Sequence, residues 1–387
     1  MEATSITEHP DNVFTTPDGR YRLLKSVAIY GANASGKSNL IAAMRYMYNL
    51  VMLNLKLNST DVLDATPFEL SSDKKSAPSF FEVVFLIENI RYRYGFEVDN
   101  KKIQTEWLFE TKVNTEKPFF IRDGLNIDRA SAFKEGKGLE EKTGENKLYL
   151  LIVDQFNGFI AKKILNFFGR IVPISALYHS DFSHHSLEIL TTESLVTGFK
   201  EFLVGFNLGF IDITAHLEGN GDFTFLTTHN IYDSKKKVLS AIQFDSHESE
   251  SQGTNKLIDL AGILYIALAQ GGMFLFFDEL DASLHPLMTL AITKLFNSKE
   301  NNSKNAQLIF TTHDTNLLSK GGFRRDQIYF VEKDNYEASH LYSLAEFKEP
   351  DGKKVRKDRS FEEDYIEGRY GAIPYIGDFS KLLGNGK

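Results

Sequence analysis

The stretch around residues 27–40 constrains the fold of this chain more than any other, because it carries a complete phosphate-binding pattern. Residues 31–38 read G-A-N-A-S-G-K-S and fit G-x-x-x-x-G-K-[ST]. Residues 27–30 are apolar or small and predict a buried strand, and the segment from Asn39 onward has the apolar spacing of a helix. A loop between a strand and a helix can turn its backbone N–H groups and a helix N-terminus toward phosphates.

The residue types in this loop indicate separate roles. In such loops the lysine, here Lys37, reaches the β- and γ-phosphates, and the hydroxyl of the next residue, Ser38, binds Mg²⁺. A purely structural glycine turn is the alternative, and it is disfavoured because the full pattern with these flanks seldom arises by chance. We predict nucleotide contacts from Gly31, Asn33, Ala34, Ser35, Gly36, Lys37, Ser38 and Asn39.

Two adjacent carboxylates follow a second apolar strand. Residues 273–277 predict a buried parallel strand, and its end delivers Asp278 and Glu279 to the sheet edge where ligands bind in α/β folds. Asp278 is placed to hold Mg²⁺ and Glu279 to orient an attacking water. An acidic pair with no ligand at this position would cost desolvation energy without compensation. A further strand at residues 308–311 leads to His313, which we expect to sense the γ-phosphate.

A serine and glycine turn at residues 250–254 enters another apolar helical segment, residues 258–269. A helix N-terminus of this kind can bind an anion. Taken alone, the turn is better explained as a structural N-cap.

Composition limits the remaining classes. The chain has 387 residues, a net charge of −8 and no cysteine, which excludes disulfides and thiolate metal sites and argues against an overall basic nucleic-acid binder. A local basic patch stays open, with residues 353–359 as the candidate. We see no apolar run of membrane-spanning length and no signal peptide pattern, so we predict a cytoplasmic protein without a membrane partner.

The remaining elements are predicted from periodicity. Residues 1–20 are polar and turn-rich and predict an irregular lead-in rather than a strand pair, and residues 114–145 predict loops. Helical spacing appears at residues 148–168 and 186–206. Period-two alternation predicts strands at residues 79–88, 90–98, 103–110, 210–217, 223–229 and 238–244.

The order of these motifs resembles the ABC-type ATPases, in particular their soluble SMC-like branch. Residues 9–14, 29–39, 250–254 and 369–374 look like bacterial AAA-type ATPases grouped with abortive-infection and restriction-linked proteins. The implied fold class is α/β, a P-loop NTPase of ABC-ATPase type whose mixed sheet carries an antiparallel β-subdomain and a helical insertion. The implied divisions are an N-terminal head part (1–113), a largely helical insertion (114–208), a C-terminal head part (209–345) and an extension (346–387).

In that family two heads enclose two nucleotides. The resemblance implies that the turn residues Ser251, Gly253 and Thr254 reach the nucleotide of a partner subunit. It also implies that Asp281 lies at the dimer interface and that His313 is the switch histidine. ATP and Mg²⁺ are the implied cofactors. No Asn-Lys-x-Asp motif for guanine is present, which also favours ATP.

The sequence departs from the family pattern in several places. The usual strand of the type Phe-x-Val-x-Asn-Phe-x-Ser-Phe is not found ahead of the loop, which leaves the adenine contacts open. Gln104 and Gln155 are both candidates for the glutamine loop, and Gln252 stands where transporters have glycine. The long coiled-coil arm is absent, which argues against bridging on the scale of a chromosome.

These features predict an ATPase (ATP and water to ADP and phosphate) that dimerises around shared nucleotides. By resemblance, we expect it to control an effector protein, a nuclease or a toxin, in bacterial antiphage defence. The alternatives are a DNA-repair or recombination clamp and an ATP-dependent nuclease that acts on nucleic acid directly. A contact with nucleic acid is possible but has no support from the overall charge.

Overall fold

The computed structural model of the protein describes residues 1–73, 75, 77–175, 182–219, 221–349 and 352–374. The strands of this described part are β1 (Val13–Thr15), β2 (Arg22–Leu24), β3 (Ser26–Gly31), β4 (Ser79–Ile87), β5 (Ile90–Val98), β6 (Ile103–Thr111), β7 (Glu116–Asp123), β8 (Asn126–Arg129), β9 (Ile171–Ser175), β10 (Asp212–Leu217), β11 (Phe223–Tyr232), β12 (Val238–Asp245), β13 (Phe274–Asp278), β14 (Gln307–Thr311), β15 (Ile328–Lys333) and β16 (Ser339–Ser343). The α-helices are α1 (Lys37–Leu53), α2 (Tyr149–Gln155), α3 (Phe159–Phe168), α4 (Ser183–Leu190), α5 (Glu193–Val204), α6 (Ser246–Ser249), α7 (Gln252–Gln270), α8 (Pro286–Asn297), α9 (Asn316–Lys320) and α10 (Phe361–Ile366).

A mixed six-stranded sheet forms the centre, with the strand order β16-β15-β3-β14-β13-β9. The last five strands in that order run parallel, and β16 pairs antiparallel with β15 at the edge. Alternate side chains of β3 enter different clusters: Ala28 and Tyr30 pack with α7 and α8, whereas Val27 and Ile29 pack with Leu24. Because β3, β13, β14 and β15 run parallel, their carboxyl ends lie together along one side of the sheet, which is called the carboxyl edge below.

A second sheet is antiparallel, with the order β4-β5-β6-β7-β8. It encloses an aromatic core together with α1, α2 and α3. The three antiparallel strands expected before residue 114 are confirmed. The prediction of loops at residues 114–145 is wrong, because β7 and β8 lie in this segment and extend the sheet. A register shift between Leu108 and Phe109 buries the neighbouring Phe119 and Phe120, which hides the alternation of β7.

A third sheet, in the order β10-β11-β12, packs against α4, α5 and α7. The three predicted strands are confirmed here. The two predicted helical stretches are confirmed as pairs of shorter helices. Asn157, with a φ of 64°, separates α2 from α3, and Thr191 and Thr192 separate α4 from α5. The segment 114–208 supplies β9 to the central sheet as well as β7 and β8 to the antiparallel sheet. The domain boundaries stay predictions.

The sequence predicted an irregular segment at the beginning of the chain, and this prediction is wrong in part, because a strand pair forms there. β1 and β2 pair antiparallel, with Val13 opposite Leu24. The polar turn between them closes the hairpin: Thr16 N–H donates to Tyr21 O at 2.9 Å. The Thr16 hydroxyl also donates to Asp18, which with Arg20 lowers the pKa of that carboxyl to about 2. The turn signals thus join two short strands.

Among the described helices, none combines the length and the apolar content that a membrane crossing needs.

One buried carboxylate ties α2 to the antiparallel sheet. Glu106 of β6 is fully buried and accepts hydrogen bonds from Tyr149 N–H at 2.6 Å and from the hydroxyl of Tyr94 at 3.0 Å. The Arg122 guanidinium lies 3.6 Å away. Burial raises the pKa of Glu106, and the charge of Arg122 and these donors oppose that rise.

We expect Glu106→Ala to lower the free energy of unfolding by about 3–5 kcal/mol, because it leaves the buried Arg122 without its counter-charge and the buried donors without their acceptor. Urea unfolding followed by the fluorescence of Trp107, the single tryptophan, measures the change. The control Glu141→Ala removes an exposed carboxylate and should change the free energy by less than about 0.5 kcal/mol. Equal effects of the two variants would contradict the prediction.

Candidate nucleotide site

The phosphate-binding loop follows β3, which is buried along its whole length. Lys37 begins α1 and is 6% exposed, and its ammonium donates to the carbonyls of Gly31 at 2.8 Å and Ala32 at 3.0 Å. The ammonium thus lies inside the loop. Burial lowers the pKa of Lys37, and the negative charges of Glu279 and Asp278 oppose that shift. These carboxylates therefore lie close enough to act on the lysine.

Two loop positions require glycine. At Gly31 a Cβ would lie 2.6 Å from the carbonyl of Val331. Gly36 has a φ of +105°, and a Cβ there would lie 2.2 Å from the hydroxyl of Ser339. Both contacts come from β15 and β16, so the hairpin beside β3 presses against the loop.

Ser38 and Asp278 meet at the edge of the sheet. The Ser38 hydroxyl donates to Asp278 Oδ1 at 3.1 Å, although the two residues come from α1 and the end of β13. The hydroxyl of Thr311 donates to the same oxygen at 2.8 Å. A hydroxyl and a carboxylate are hard oxygen donors of the kind that Mg²⁺ prefers. The chemistry of this pair therefore fits the metal that the sequence analysis predicted.

Glu279 occupies a sharp turn directly after β13. Its φ of 54° is unusual for a residue with a side chain. The turn is held by Thr311, whose hydroxyl accepts a hydrogen bond from Glu279 N–H at 2.7 Å. One threonine at the end of β14 thus fixes both acidic residues. Local strain of this kind concentrates at functional sites.

Glu279 and His313 line the same cavity as the loop. This cavity has a volume of about 340 Å³ and is lined by Asn33, Ala34, Ser35, Gly36, Lys37, Ser38, Asn39, Glu279, His313 and Lys333. The backbone N–H of His313 donates to Asp281 Oδ2 at 3.1 Å, which joins the ends of β13 and β14. The other carboxylate oxygen, Asp281 Oδ1, is buried without a hydrogen-bond partner among the described residues.

The family model described as "AAA domain, putative AbiEii toxin, Type IV TA system" matches residues 26–166 and 233–319, which is more than half of the chain. The chain belongs to this AAA-domain family. The match includes the phosphate loop, Asp278, Glu279 and His313. No curated protein sequence is significantly similar to the chain.

Several solved structures show weak similarity. The SMC head domain from Thermotoga maritima is 15% identical, with a TM-score of 0.41, over 84% of this chain and 94% of that chain. An SMC head bound to the C-terminal winged-helix domain of ScpA is 17% identical, with a TM-score of 0.37, over 83% and 92%. The recombination mediator RecF with ATP is 13% identical, with a TM-score of 0.27, over 83% and 94%. Similarity at this level says nothing about the chemistry of the site.

The predicted fold class is confirmed. This AAA-domain protein has an α/β fold, in which a mixed sheet with a phosphate loop is joined to an antiparallel β-subdomain and to helices.

The serine and glycine turn at residues 250–254 leads into the start of α7. Ser251 caps this helix, and its hydroxyl accepts a hydrogen bond from Thr254 N–H at 3.1 Å. A Cβ on Gly253 would lie 2.7 Å from the carbonyl of Ser283, so the turn packs closely against the segment after β13. None of Ser251, Gly253, Thr254 or Asp281 lines the cavity of the phosphate loop in their own chain. Their predicted nucleotide contacts stay predictions.

Neither candidate for the glutamine loop lines this cavity. The side chain of Gln104 donates to Asp99 at 2.6 Å, and Gln155 is exposed at the end of α2.

The structure also places at the site two residues that were not predicted from the sequence. Thr311 orients the acidic pair, and Lys333 lines the cavity from the end of β15. The apolar run at residues 328–331, with Lys333 two positions after it, was the available signal for Lys333.

Proposed function

We propose that the protein binds ATP with Mg²⁺ and hydrolyses it. The observation that carries the proposal is the convergence of Lys37, the Ser38–Asp278 pair, Glu279 and His313 around one cavity at the carboxyl edge of a parallel sheet. Those groups match what phosphoryl transfer needs, namely cations and N–H donors for the phosphates, oxygen ligands for a metal and a carboxylate for the water. Few other reactions use all of them.

Each residue has one task in this proposal. Lys37 and the loop N–H groups bind the phosphates, and Ser38 and Asp278 hold the metal, which neutralises phosphate charge when bound. Glu279 orients the attacking water, in a turn that Thr311 holds. His313 contacts the γ-phosphate from the end of β14.

We further propose that two copies close around shared nucleotides. Ser251, Gly253 and Thr254 begin a 19-residue helix, so their turn presents the positive end of a long helix dipole. They lie outside the cavity of their own chain, and Ser251 is exposed, which leaves the start of the turn available to the nucleotide of a second copy. ATP held by both copies would stabilise the closed pair, and hydrolysis would release it.

We assign the closure step a regulatory purpose, the control of an effector protein such as a nuclease or a toxin in antiphage defence. The support is the description of the family, which names a toxin and a toxin–antitoxin system. Nucleotide-driven closure is a mechanical change that a bound effector can sense.

The shared site predicts complementation between two defective variants. Ser251→Arg should cut ATP turnover by about 100-fold or more, since it places a bulky cation where the partner docks and removes a preorganised donor. Binding of ATP to a single subunit should persist. Mixing Ser251→Arg with Lys37→Ala should restore part of the turnover, because one of the two composite sites is then intact. Turnover assays on each variant and on the mixture measure this.

Ser303→Arg is the matched control, because this exposed serine precedes β14 at the opposite edge of the sheet. It should turn over ATP like the parent. If the mixture stays as inactive as its components while both variants are folded, the shared site is refuted.

A further inference from the structure

A second lysine lines the cavity of the phosphate loop. Lys333 is the last residue of β15, which runs parallel to β3 and pairs with it. It therefore reaches the same sheet edge as the loop, but from the side opposite to β14 and β13. The acidic residues Asp278 and Glu279 end or follow β13 on that other side. A nucleotide above the loop would lie between the carboxylates and this lysine.

The hairpin that carries Lys333 is bonded to the phosphate loop. Lys333 pairs with Ser339 across β15 and β16. The Ser339 hydroxyl donates to the carbonyl of Ser35 at 2.7 Å, and Ser339 also occupies the space that a Cβ on Gly36 would need. The backbone of Lys333 is thus held at a fixed position relative to the loop.

The turn of this hairpin is closed by a carboxylate. Asp334 Oδ1 accepts hydrogen bonds from the N–H groups of Tyr336 at 2.8 Å and Ala338 at 3.0 Å. Asp334 Oδ2 lies 3.0 Å from His340 Nε2, and the hydrogen bond from His340 is the main cause of the lowered pKa of Asp334. Lys333 therefore extends from an ordered hairpin, so less freedom is lost when it binds a ligand.

The side chain of Lys333 is held only weakly in the structure. Its ammonium lies 3.4 Å from Glu337 Oε2, and the two side chains are 35% and 65% exposed. An exposed pair of this kind contributes little, because water and salt screen it. Lys37, in contrast, already bonds two carbonyls inside the loop. Lys333 is the cavity-lining cation that can turn toward a polyphosphate at small cost.

We propose that Lys333 is a phosphate-binding residue, supplied in the same chain by the β15–β16 hairpin. It contacts the phosphates of a nucleoside triphosphate from the side opposite to Asp278 and Glu279. The inference rests on the proposed ATP site and adds a residue to it. The hairpin acts as a brace for the loop, and its lysine balances the negative charge that the acidic side of the site directs at the phosphates.

The test compares the affinity of Mg²⁺ with AMPPNP, a non-hydrolysable ATP analogue, for four variants by isothermal titration calorimetry. Lys333→Met keeps the length of the side chain and removes its charge, and should weaken binding by about 10- to 100-fold. Lys333→Arg keeps the charge and should stay within about threefold of the parent. Glu337→Gln removes the competing carboxylate and should bind at least as tightly as the parent.

Lys299→Met is the matched control. This exposed lysine follows α8 and lies near Lys25 at the amino end of β3, so the same charge is lost far from the site. It should bind like the parent.

The outcomes separate this inference from the proposed function. A parent protein that binds no AMPPNP would overturn both. If the parent binds and Lys333→Met binds equally well, the role of Lys333 is refuted and the ATP site stands. If Lys333→Arg is as weak as Lys333→Met, the lysine acts through packing and the inference fails. Should Lys333→Met not fold, weaker binding by Glu337→Gln would contradict the proposal independently.

Discussion

Lys37→Ala should lose at least about 100-fold in affinity for MgATP, because charge-assisted bonds to two phosphates disappear together. The ammonium lies inside the loop on the carbonyls of Gly31 and Ala32, so no other side chain can replace it there. Burial lowers its pKa, which means that the folded protein gains little from the charge itself. The variant should therefore stay folded while it loses its ligand.

Calorimetric titration with MgATP measures the loss, and thermal unfolding checks the fold. Lys299→Ala, which removes an exposed lysine at the opposite edge of the sheet, should bind like the parent. Affinity within about threefold of the parent would remove Lys37 from the phosphate site.

The same variant tests the proposed role in defence. Bacteria that carry the protein together with its neighbouring genes should resist phage, and the Lys37→Ala version should not. Plaque counts on both strains provide the measurement. Equal plaque counts with the parent, with Lys37→Ala and without the protein would contradict the defence role but leave the ATP site untouched.

Glu279→Gln should keep the affinity for ATP and lose about 10²- to 10⁴-fold in turnover, the range expected when a positioned general base is removed. Glutamine fits the same space, so the turn held by Thr311 should persist. It cannot take a proton from the attacking water. Separate measurements of nucleotide affinity and of phosphate release distinguish the two effects.

Glu300→Gln makes the same chemical change at an exposed position after α8 and should hydrolyse ATP like the parent. Parental turnover by Glu279→Gln would show that another group orients the water. A loss of affinity equal to the loss of turnover would instead assign Glu279 to binding.

The sequence was most informative where the chemistry lies in one contiguous stretch. The phosphate loop needs its glycines and Lys37 at fixed spacing, and the pair Asp278 and Glu279 must follow an apolar strand. Both patterns are local, so both could be predicted, and the strands that precede them are confirmed.

Features that depend on distant segments were missed. β7 is hidden because a bulge in its pairing with β6 places Phe119 and Phe120 in the core side by side. The role of Lys333 depends on β15 lying next to β3, a pairing between distant parts of the chain that periodicity does not reveal. Thr311 is similar, because its partners Asp278 and Glu279 belong to another strand. For Lys333 and Thr311 the missing information was which strands are neighbours, whereas for β7 it was the strand itself.

The molar mass of Glu279→Gln, measured by light scattering with and without MgATP, tests whether two copies close around shared nucleotides. Because this variant should bind ATP without hydrolysing it, the closed pair should accumulate. MgATP should double the mass from that of the 43.9 kDa chain, and adding Ser251→Arg in the same chain should prevent the doubling. A mass that is the same with and without MgATP would contradict a dimer built around shared nucleotides.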